Sequence, residues 1–202
     1  ELRRARRRAL GLPEDKQLVT YAGRLIQGKG LETLFEAWRA LRDVPDLHLV
    51  IVGSGAGQVI SIEDRLRASA AEPDLAGRIT FTGRLDDIPS VLQASDLFVF
   101  PTLDEALGMS AVEAQACGLP AVASRTGGVP DVVEDGATGL LVPPRNSVEL
   151  AAALRRLVLD EALRRRFALA ARERAVAEFS RQTMITRYSD LFTELAAKRR
   201  AA

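Results

Sequence analysis

The sequence predicts an α/β domain with a Rossmann-like, doubly wound parallel sheet of about six strands and additional C-terminal helices. Short apolar runs of strand length alternate with helix-like segments from residue 17 to residue 142, and this alternation favours parallel pairing through right-handed crossovers. The 202 residues suit one large domain, and a hydrophobic share of 47% is enough to bury both faces of a sheet. After Pro143 and Pro144 three helical segments follow without a strand.

The individual elements follow from the spacing of apolar residues. Strands are predicted at residues 17–22, 47–52, 79–82, 96–100, 121–124 and 138–142. Helices are predicted between them at residues 31–41, 58–71, 86–94 and 109–117, with a short helical turn at residues 129–134. Two apolar stripes with helical spacing come last: Leu150, Leu154, Leu157 and Val158 form the first, and Met184, Ile185, Tyr188, Leu191, Phe192 and Leu195 form the second.

Charge and composition exclude several classes of protein. The chain has 28 basic and 27 acidic residues and a net charge of +1, which argues against nucleic-acid binding through bulk charge. Its single cysteine, Cys117, excludes internal disulfides. No apolar run has the length of a membrane span or the pattern of a signal peptide. We therefore expect a soluble, cytoplasmic chain.

The arginine-rich start, ELRRARRRAL, allows two interpretations. It could form a membrane-facing or phosphate-binding patch. A solvated helix or a linker that leads into the domain is the simpler interpretation of such a charge run.

The stretch FPTLDEALGMSAVEAQACGLP holds the strongest candidate site. Proline and glycine on either side of it predict that Glu105 lies in a loop, whereas Glu113 lies one turn into the helix that follows. Helical side chains lean toward the N-terminus, so we expect both carboxylates at one crevice. The N–H groups of Gly108, Met109 and Ser110 at the helix start favour an anion such as phosphate.

Loops after the other strands supply further candidates, because parallel sheets bind ligands beyond the carboxyl ends of their strands. Gly23 opens a glycine-rich loop with Arg24 and Lys29, whose charges suit phosphate oxygens, although loop cations are also often merely solvated. Gly53 opens the sequence GSGAG, which is similar to a dinucleotide fingerprint but lacks its final glycine. A tight turn is therefore the more common interpretation of GSGAG.

Two residues that often carry chemistry are given structural roles here. The only histidine, His48, lies in a strand-like run, and no D-x-D spacing occurs, so no metal site is predicted. Cys117 is interpreted as a buried thiol at a helix end, because no histidine accompanies it.

The motifs together carry a family resemblance. YAGRLIQGKG, LVIVGSG, ITFTGRL and FVFPTLDEALGMSAVEAQACGLPAVASRTGGVPDVVEDGATGLLVPP resemble the C-terminal, donor-binding half of retaining glycosyltransferases of the GT-B architecture, family 4 type. The resemblance runs from about residue 18 to residue 188. The common E-G-F-G-L reads E-A-L-G-M here, which leaves the donor sugar undetermined.

The resemblance implies a role for each candidate residue. Glu105 would contact donor-sugar hydroxyls, and Glu113 would accept from the ribose diol. Arg24 and Lys29 would neutralise the donor diphosphate and, with Glu105, form the catalytic group. The remaining donor-binding positions would be Gly23, Gly53, Arg84, Leu85, Gly108, Met109 and Ser110, with Arg84 and Leu85 near the base. The transfer would be a front-face, retaining reaction without a metal or other cofactor, in which the leaving phosphate helps to deprotonate the acceptor.

The resemblance also implies an organisation into parts. Residues 1–17 would be a linker or leading helix, residues 18–180 the nucleotide-sugar (donor) binding domain, and residues 181–202 a C-terminal helix. Fewer than twenty residues precede the first strand, so we expect the N-terminal acceptor-binding domain as a partner. The last helix would either cross to that domain or pack on its own sheet. Any peripheral membrane contact would come through the partner domain, and no nucleic acid is expected.

Two other functions remain open. A non-catalytic module that binds nucleotide-sugar or phosphate would need the same donor site. A nicotinamide-dependent oxidoreductase would suit GSGAG, but it requires an acidic ribose reader about twenty residues later at a strand end. Glu72 and Asp74 fall in a polar loop instead.

Overall fold

The computed structural model describes residues 2–201, in which strands and helices alternate as the sequence predicts. The strands are β1 (Gln17–Ala22), β2 (Leu47–Val52), β3 (Ile79–Gly83), β4 (Leu97–Phe100), β5 (Ala121–Ser124) and β6 (Gly139–Val142). The helices are α1 (Leu2–Ala9), α2 (Leu31–Ala40), α3 (Glu63–Ala70), α4 (Ile88–Ala94), α5 (Met109–Ala116), α6 (Val129–Val132), α7 (Ser147–Leu159), α8 (Glu161–Phe179) and α9 (Arg181–Ala201).

The six strands form one parallel sheet in the order β3-β2-β1-β4-β5-β6, which confirms the predicted fold. The chain winds outward in one direction through β2 and β3 and then returns to the centre for β4. β1 and β4 are therefore neighbours, with Val19 opposite Leu97 and Thr20 opposite Phe98. The carboxyl ends of β1 and β4 form the topological switch point, where such sheets bind ligands.

Helices cover both faces of the sheet, so the central strands are buried on both sides. Side chains alternate between the two cores: Val19 and Tyr21 of β1 face the core that contains α2 and α7, whereas Leu18 and Ala22 face the core that contains α4, α5 and α6. The predicted stripe on α7 is buried in the first of these cores, which confirms that prediction.

Two predicted helices begin later than expected. Residues 58–62 were expected to be helical, but they form turns and an isolated antiparallel bridge between Ile26 and Ser61. Helix α3 starts only at Glu63. Helix α4 begins at Ile88, after Asp87 has accepted the N–H of Ser90 as an N-cap. The bridge from Ser61 to Ile26 keeps the residues before α3 out of the helix. The Asp87 cap sets the start of α4.

The arginine-rich start is a helix, α1, that packs against α4. Arg7 is buried, and its guanidinium donates to the backbone oxygens of Ala94, Glu14 and Lys16 and to the carboxylate of Asp96. The expectation of a solvated helix is therefore wrong for Arg7. This arginine fixes α1 to the start of β4. Its buried charge is tolerated because it is paired with a carboxylate and hydrogen-bonded.

The apolar stripe on α9 does not pack on the sheet. Met184, Ile185, Tyr188, Leu191, Phe192 and Leu195 are between 46% and 64% exposed. The interpretation in which this helix packs on its own sheet is therefore wrong. Within residues 2–201, no helix combines the length and the apolar character needed to cross a membrane.

His48 occupies a packing position in β2, as the sequence predicts. The ring is buried, and its Nε2 lies 2.8 Å from the hydroxyl of Thr80. Burial, followed by the charges of Lys16 and Arg78, lowers the pKa of His48 to about 4. Cys117, at the end of α5, is half-buried, and burial raises the pKa of its thiol.

Replacing Arg7 tests whether α1 is an integral part of the domain. Arg7→Ala leaves three backbone oxygens and Asp96 without their buried partner, so we expect the free energy of unfolding to fall by about 3 kcal/mol or more. Arg4→Ala is the matched control, because the Arg4 side chain is 67% exposed; it should cost less than about 0.5 kcal/mol. Urea unfolding of both variants measures the difference, and equal stabilities would contradict the assignment.

Candidate functional site

The candidate site is built from loops that hydrogen bonds hold side by side at the carboxyl edge of the sheet. The Gly23 N–H donates to the oxygen of Val52 at 3.0 Å, and the Gly53 N–H donates to the oxygen of Gly83 at 2.9 Å. These bonds join the loops after β1, β2 and β3. Across the switch point, Leu103 in the loop after β4 donates its N–H to the oxygen of Gly28.

Gly30 sets how closely the loops after β1 and β4 approach. It precedes α2 with a left-handed φ of 69°, a conformation that costs other residues roughly 1–2 kcal/mol. A Cβ at this position would also overlap the backbone oxygen of Pro101. Glycine is therefore required twice over, for its backbone conformation and for the contact with the second loop.

That contact brings together two residues that the sequence analysis placed in the catalytic group. The ammonium of Lys29 lies 2.7 Å from the Oε2 of Glu105, and the two side chains are 19% and 20% exposed. Lys29 comes from the loop after β1 and Glu105 from the loop after β4. The third member, Arg24, is exposed at the mouth of the site.

The loop after β5 fixes the backbone of Glu105. The Gly128 N–H donates to the oxygen of Glu105 at 3.1 Å. A Cβ on the preceding Gly127 would overlap that same oxygen. The hydroxyl of Thr126 donates to the oxygen of Leu103 in the same loop as Glu105. The Glu105 carboxylate thus depends on three loops: its own after β4, the loop after β5 that holds its backbone, and the loop after β1 that carries Lys29.

The start of α5 lies beside this carboxylate. Gly108 is the N-cap of α5, and the backbone oxygen of Gly108 accepts the N–H groups of Ala111 and Val112. The N–H groups of Met109 and Ser110, in the first turn, are left without a helical acceptor. Such a helix start attracts anions.

Two adjacent pockets open at this edge, and both are lined by Gly23 and Arg24. We call the smaller one, about 370 Å³, the inner pocket and the larger one, about 660 Å³, the outer pocket. Among the predicted residues, the inner pocket also holds Lys29, Glu105, Gly108, Met109 and Ser110. The outer pocket also holds Gly53, Arg84 and Leu85, together with Val52, Ser54, Ala56, Gln58, Asp86 and Ile88.

Glu113 is the predicted site residue that lines neither pocket. It is exposed on α5, one turn after Met109. Its place in one crevice with Glu105 and its contact with a ribose both stay predictions.

Tyr21 is a functional-site residue that the sequence analysis missed. Its side chain is buried beneath the inner pocket, and its hydroxyl donates to the backbone oxygen of Arg24 at 3.0 Å. Burial, followed by the nearby charge of Glu105, raises the pKa of Tyr21. Its position within an apolar strand run hid it, since nothing in the sequence separates it from core residues.

Glu63 is a second missed residue, and it organises the GSGAG loop. Its carboxylate accepts the Gly55 N–H at 2.7 Å and the Ser54 hydroxyl at 2.8 Å. The Gly55 N–H is the main reason that the pKa of Glu63 is lowered. The loop is thus a tight turn held by a carboxylate, in agreement with the structural interpretation of GSGAG.

The arrangement of charges suits an anionic ligand. Arg24 and Lys29 line the inner pocket together with the start of α5, and guanidinium, ammonium and helix N–H groups all bind phosphate oxygens. Within residues 2–201, no group of three or more His, Cys, Asp or Glu side chains could hold a metal ion.

An apolar groove of about 450 Å³ adjoins the inner pocket. Leu107 and Met109 line both cavities, while Val112, Phe179, Met184, Tyr188 and Leu191 line only the groove. The groove therefore connects the exposed stripe of α9 with the rim of the inner pocket.

Comparison with known proteins identifies the family. The model of the family described as Glycosyl transferases group 1 matches residues 3–174. The D-inositol 3-phosphate glycosyltransferase of Mycobacterium tuberculosis (strain ATCC 25618 / H37Rv) is 38% identical over 142 residues. That match covers 69% of this chain but 29% of the relative, so the chain corresponds to less than half of the relative's length.

Solved structures of related proteins have the same fold. HepE of Anabaena, solved in complex with UDP-glucose, superimposes with a TM-score of 0.87 at 27% identity, over 95% of this chain and 52% of that one. The C-terminal domain of a glycosyl transferase group 1 family protein from Francisella tularensis gives a TM-score of 0.80 at 26% identity, over 89% and 93% of the two chains. The resemblance drawn from the sequence is confirmed.

Two glycines in one loop provide a matched test of the loop contact. Gly28 and Gly30 flank Lys29 and both have a left-handed φ, but only at Gly30 would a Cβ meet another atom. We expect Gly28→Ala to cost about 1–2 kcal/mol of unfolding free energy from backbone strain alone. Gly30→Ala should cost at least about 1 kcal/mol more, because Pro101 must move. Urea unfolding measures both, and equal losses would show that the approach to Pro101 is unimportant.

Proposed function

The chain belongs to the glycosyl transferases of group 1, and from this premise we propose that it is the donor-binding part of a glycosyltransferase. Its ligand would be a nucleotide-diphosphate sugar. The observation that carries this proposal is the pair of adjacent pockets that share Gly23 and Arg24. A ligand with two bulky ends joined by a charged middle suits such a site. HepE, which has the same fold, was solved with a ligand of this kind.

The diphosphate would lie at the junction of the two pockets. Arg24 would fork onto its oxygens, Lys29 would supply a point charge, and the N–H groups of Met109 and Ser110 would complete its ligands. These groups supply the countercharge that a metal provides in other nucleotide sites. We therefore propose that donor binding is independent of metal ions.

The two ends of the donor would occupy different pockets. The sugar would lie in the inner pocket, where the Glu105 carboxylate can accept hydrogen bonds from its hydroxyls. The nucleoside would lie in the larger outer pocket, with Arg84 and Leu85 near its base. Glu113 would approach the ribose from the exposed face of α5.

The chemistry follows from where charge develops. Breaking the bond between sugar and phosphate builds positive charge on the sugar and negative charge on the departing diphosphate. Arg24, Lys29 and the α5 start would stabilise that negative charge in the transition state. Each charge-assisted hydrogen bond contributes on the order of 1.5–3 kcal/mol, less where solvent screens an exposed group such as Arg24.

Several finer properties belong to the same proposal. The sugar would pass to an acceptor held by a partner domain, with retention of configuration at the anomeric carbon, as the resemblance to retaining glycosyltransferases implies. The domain would work in the cytoplasm, an environment that its single cysteine suits. Any contact with a membrane would come through the partner domain.

Two alternatives are weaker on specific grounds. A nicotinamide-dependent enzyme would need the N–H groups of the GSGAG loop for pyrophosphate, but the Glu63 carboxylate already accepts the Gly55 N–H and the Ser54 hydroxyl. A non-catalytic binding module would share the donor site. It is weaker because the chain belongs to a family of glycosyl transferases.

Calorimetry with UDP, GDP and ADP in the presence of a chelator tests donor binding. We expect at least one nucleotide to bind without added metal, because protein cations neutralise the diphosphate. Arg24→Ala should weaken that binding by about 1–2 kcal/mol. Arg42→Ala, which removes an exposed arginine outside both pockets, is the control. No heat with any of the three nucleotides would overturn the proposal.

Glu105 and Glu113 should have separate effects when substituted. If Glu113 contacts the ribose, Glu113→Ala weakens nucleoside diphosphate and nucleotide-sugar alike. Glu105→Ala should weaken only the nucleotide-sugar, because its partner is the sugar itself. Each loss should be about 1–3 kcal/mol. Titration of UDP and UDP-glucose into both variants measures this, and equal losses of both ligands in both variants would show that the roles are wrongly divided.

A further inference from the structure

We propose that the ion pair between Lys29 and Glu105 is a latch that couples the phosphate and sugar parts of the donor site. In the ligand-free domain Glu105 holds Lys29, and a bound diphosphate must take Lys29 away. The released carboxylate is then available to sugar hydroxyls. Glu105 is thus also a positioning residue for Lys29. This inference rests on the proposed function, which assigns the diphosphate to Lys29 and the sugar to Glu105.

The contact itself is the first ground for the proposal. The Lys29 Nζ and the Glu105 Oε2 are 2.7 Å apart, and both side chains are about four-fifths buried. Within residues 2–201, this bond is the one side-chain hydrogen bond recorded for either residue. An ammonium and a carboxylate in such a position need a partner, because loss of hydration is costly for an ion. Each therefore satisfies the other in the empty site.

The backbones on both sides of the pair are fixed. Gly30 contacts Pro101 on the Lys29 side, and the Gly128 N–H holds the oxygen of Glu105 on the other. A ligand cannot separate the two residues by moving the loops without breaking these contacts. The long side chain of Lys29 has rotatable bonds and can turn toward a phosphate while its backbone stays in place.

The pair opposes a free nucleoside diphosphate more than a nucleotide-sugar. A diphosphate that recruits Lys29 leaves the Glu105 carboxylate without its cation and close to another negative charge. A donor with its sugar in place offers hydroxyl groups to that carboxylate, which restores its hydrogen bonds. The latch therefore favours the intact donor over the nucleoside diphosphate that remains after transfer, and it promotes release of that product.

A double-mutant cycle tests the latch. Wild type, Glu105→Gln, Lys29→Met and the double variant are titrated with UDP, GDP and ADP, and then with UDP-glucose. Glu105→Gln should bind the nucleoside diphosphate roughly threefold to tenfold more tightly than wild type, because a partly buried ion pair no longer has to be broken. It should bind UDP-glucose less tightly. In the Lys29→Met background, Glu105→Gln should tighten nucleoside diphosphate binding by a smaller factor, because only the repulsion between the carboxylate and the diphosphate is then removed.

Asp104→Asn controls for the general effect of removing a negative charge. Asp104 is the exposed neighbour of Glu105 in the same loop, and it lines neither pocket. The latch predicts unchanged affinity for this variant.

Three results would overturn the inference. Weaker binding of nucleoside diphosphate by Glu105→Gln would mean that the carboxylate presents Lys29 to the phosphate instead of withholding it. Equal tightening with and without Lys29, or in Asp104→Asn, would mean simple charge repulsion. Wild type that binds none of the three nucleotides would overturn the proposed function as well, which separates that failure from failure of the latch alone.

Discussion

The close approach of two loops at the centre of the sheet is the constraint on which the rest of the site depends. Because β1 and β4 are neighbours but are separated in sequence by β2 and β3, the loops that follow them leave the sheet together. The contact between Gly30 and Pro101 sets the spacing of these loops. Lys29 and Glu105 can form a 2.7 Å bond only because that spacing is maintained. Substituting Lys29 or Glu105 changes the charges in the site, whereas substituting Gly30 changes the spacing of the two loops that hold them.

The site also has to be stable when it is empty. A site that attracts anions concentrates positive charge, and the start of a helix adds to it. The Lys29 and Glu105 pair reduces that cost by matching one cation with one anion. Glu63 has a similar role in the neighbouring loop, where its carboxylate satisfies the N–H of Gly55 and the hydroxyl of Ser54. Carboxylates thus hold the loops in order before a ligand arrives.

Sequence patterns predicted the fold and most of the site because both depend on local signals. Strand runs, helix stops and the loops after strands are readable one at a time, and they located Arg24, Lys29, Glu105 and the start of α5. What they missed depends on contacts between distant segments. Burial of Arg7 requires acceptors from the segment before β1 and from α4, and the late start of α3 requires a bridge from Ser61 to Ile26.

The inner pocket separates two physical tasks. Its charged part is formed by Lys29, Glu105 and the backbone N–H groups at the start of α5, whereas the side chains of Leu107 and Met109 form an apolar rim that continues into the groove beside α9. Charge stabilisation needs fixed charges and dipoles, and two loops and a helix provide them here. Exclusion of water needs a surface that covers the site, and an apolar rim gives such a surface area to bury. The exposed side of α9 adds to this apolar surface, because Met184, Tyr188 and Leu191 line the groove that continues from the rim. Polar loops therefore carry the charges of the candidate site, while the helices beside them provide an exposed apolar surface.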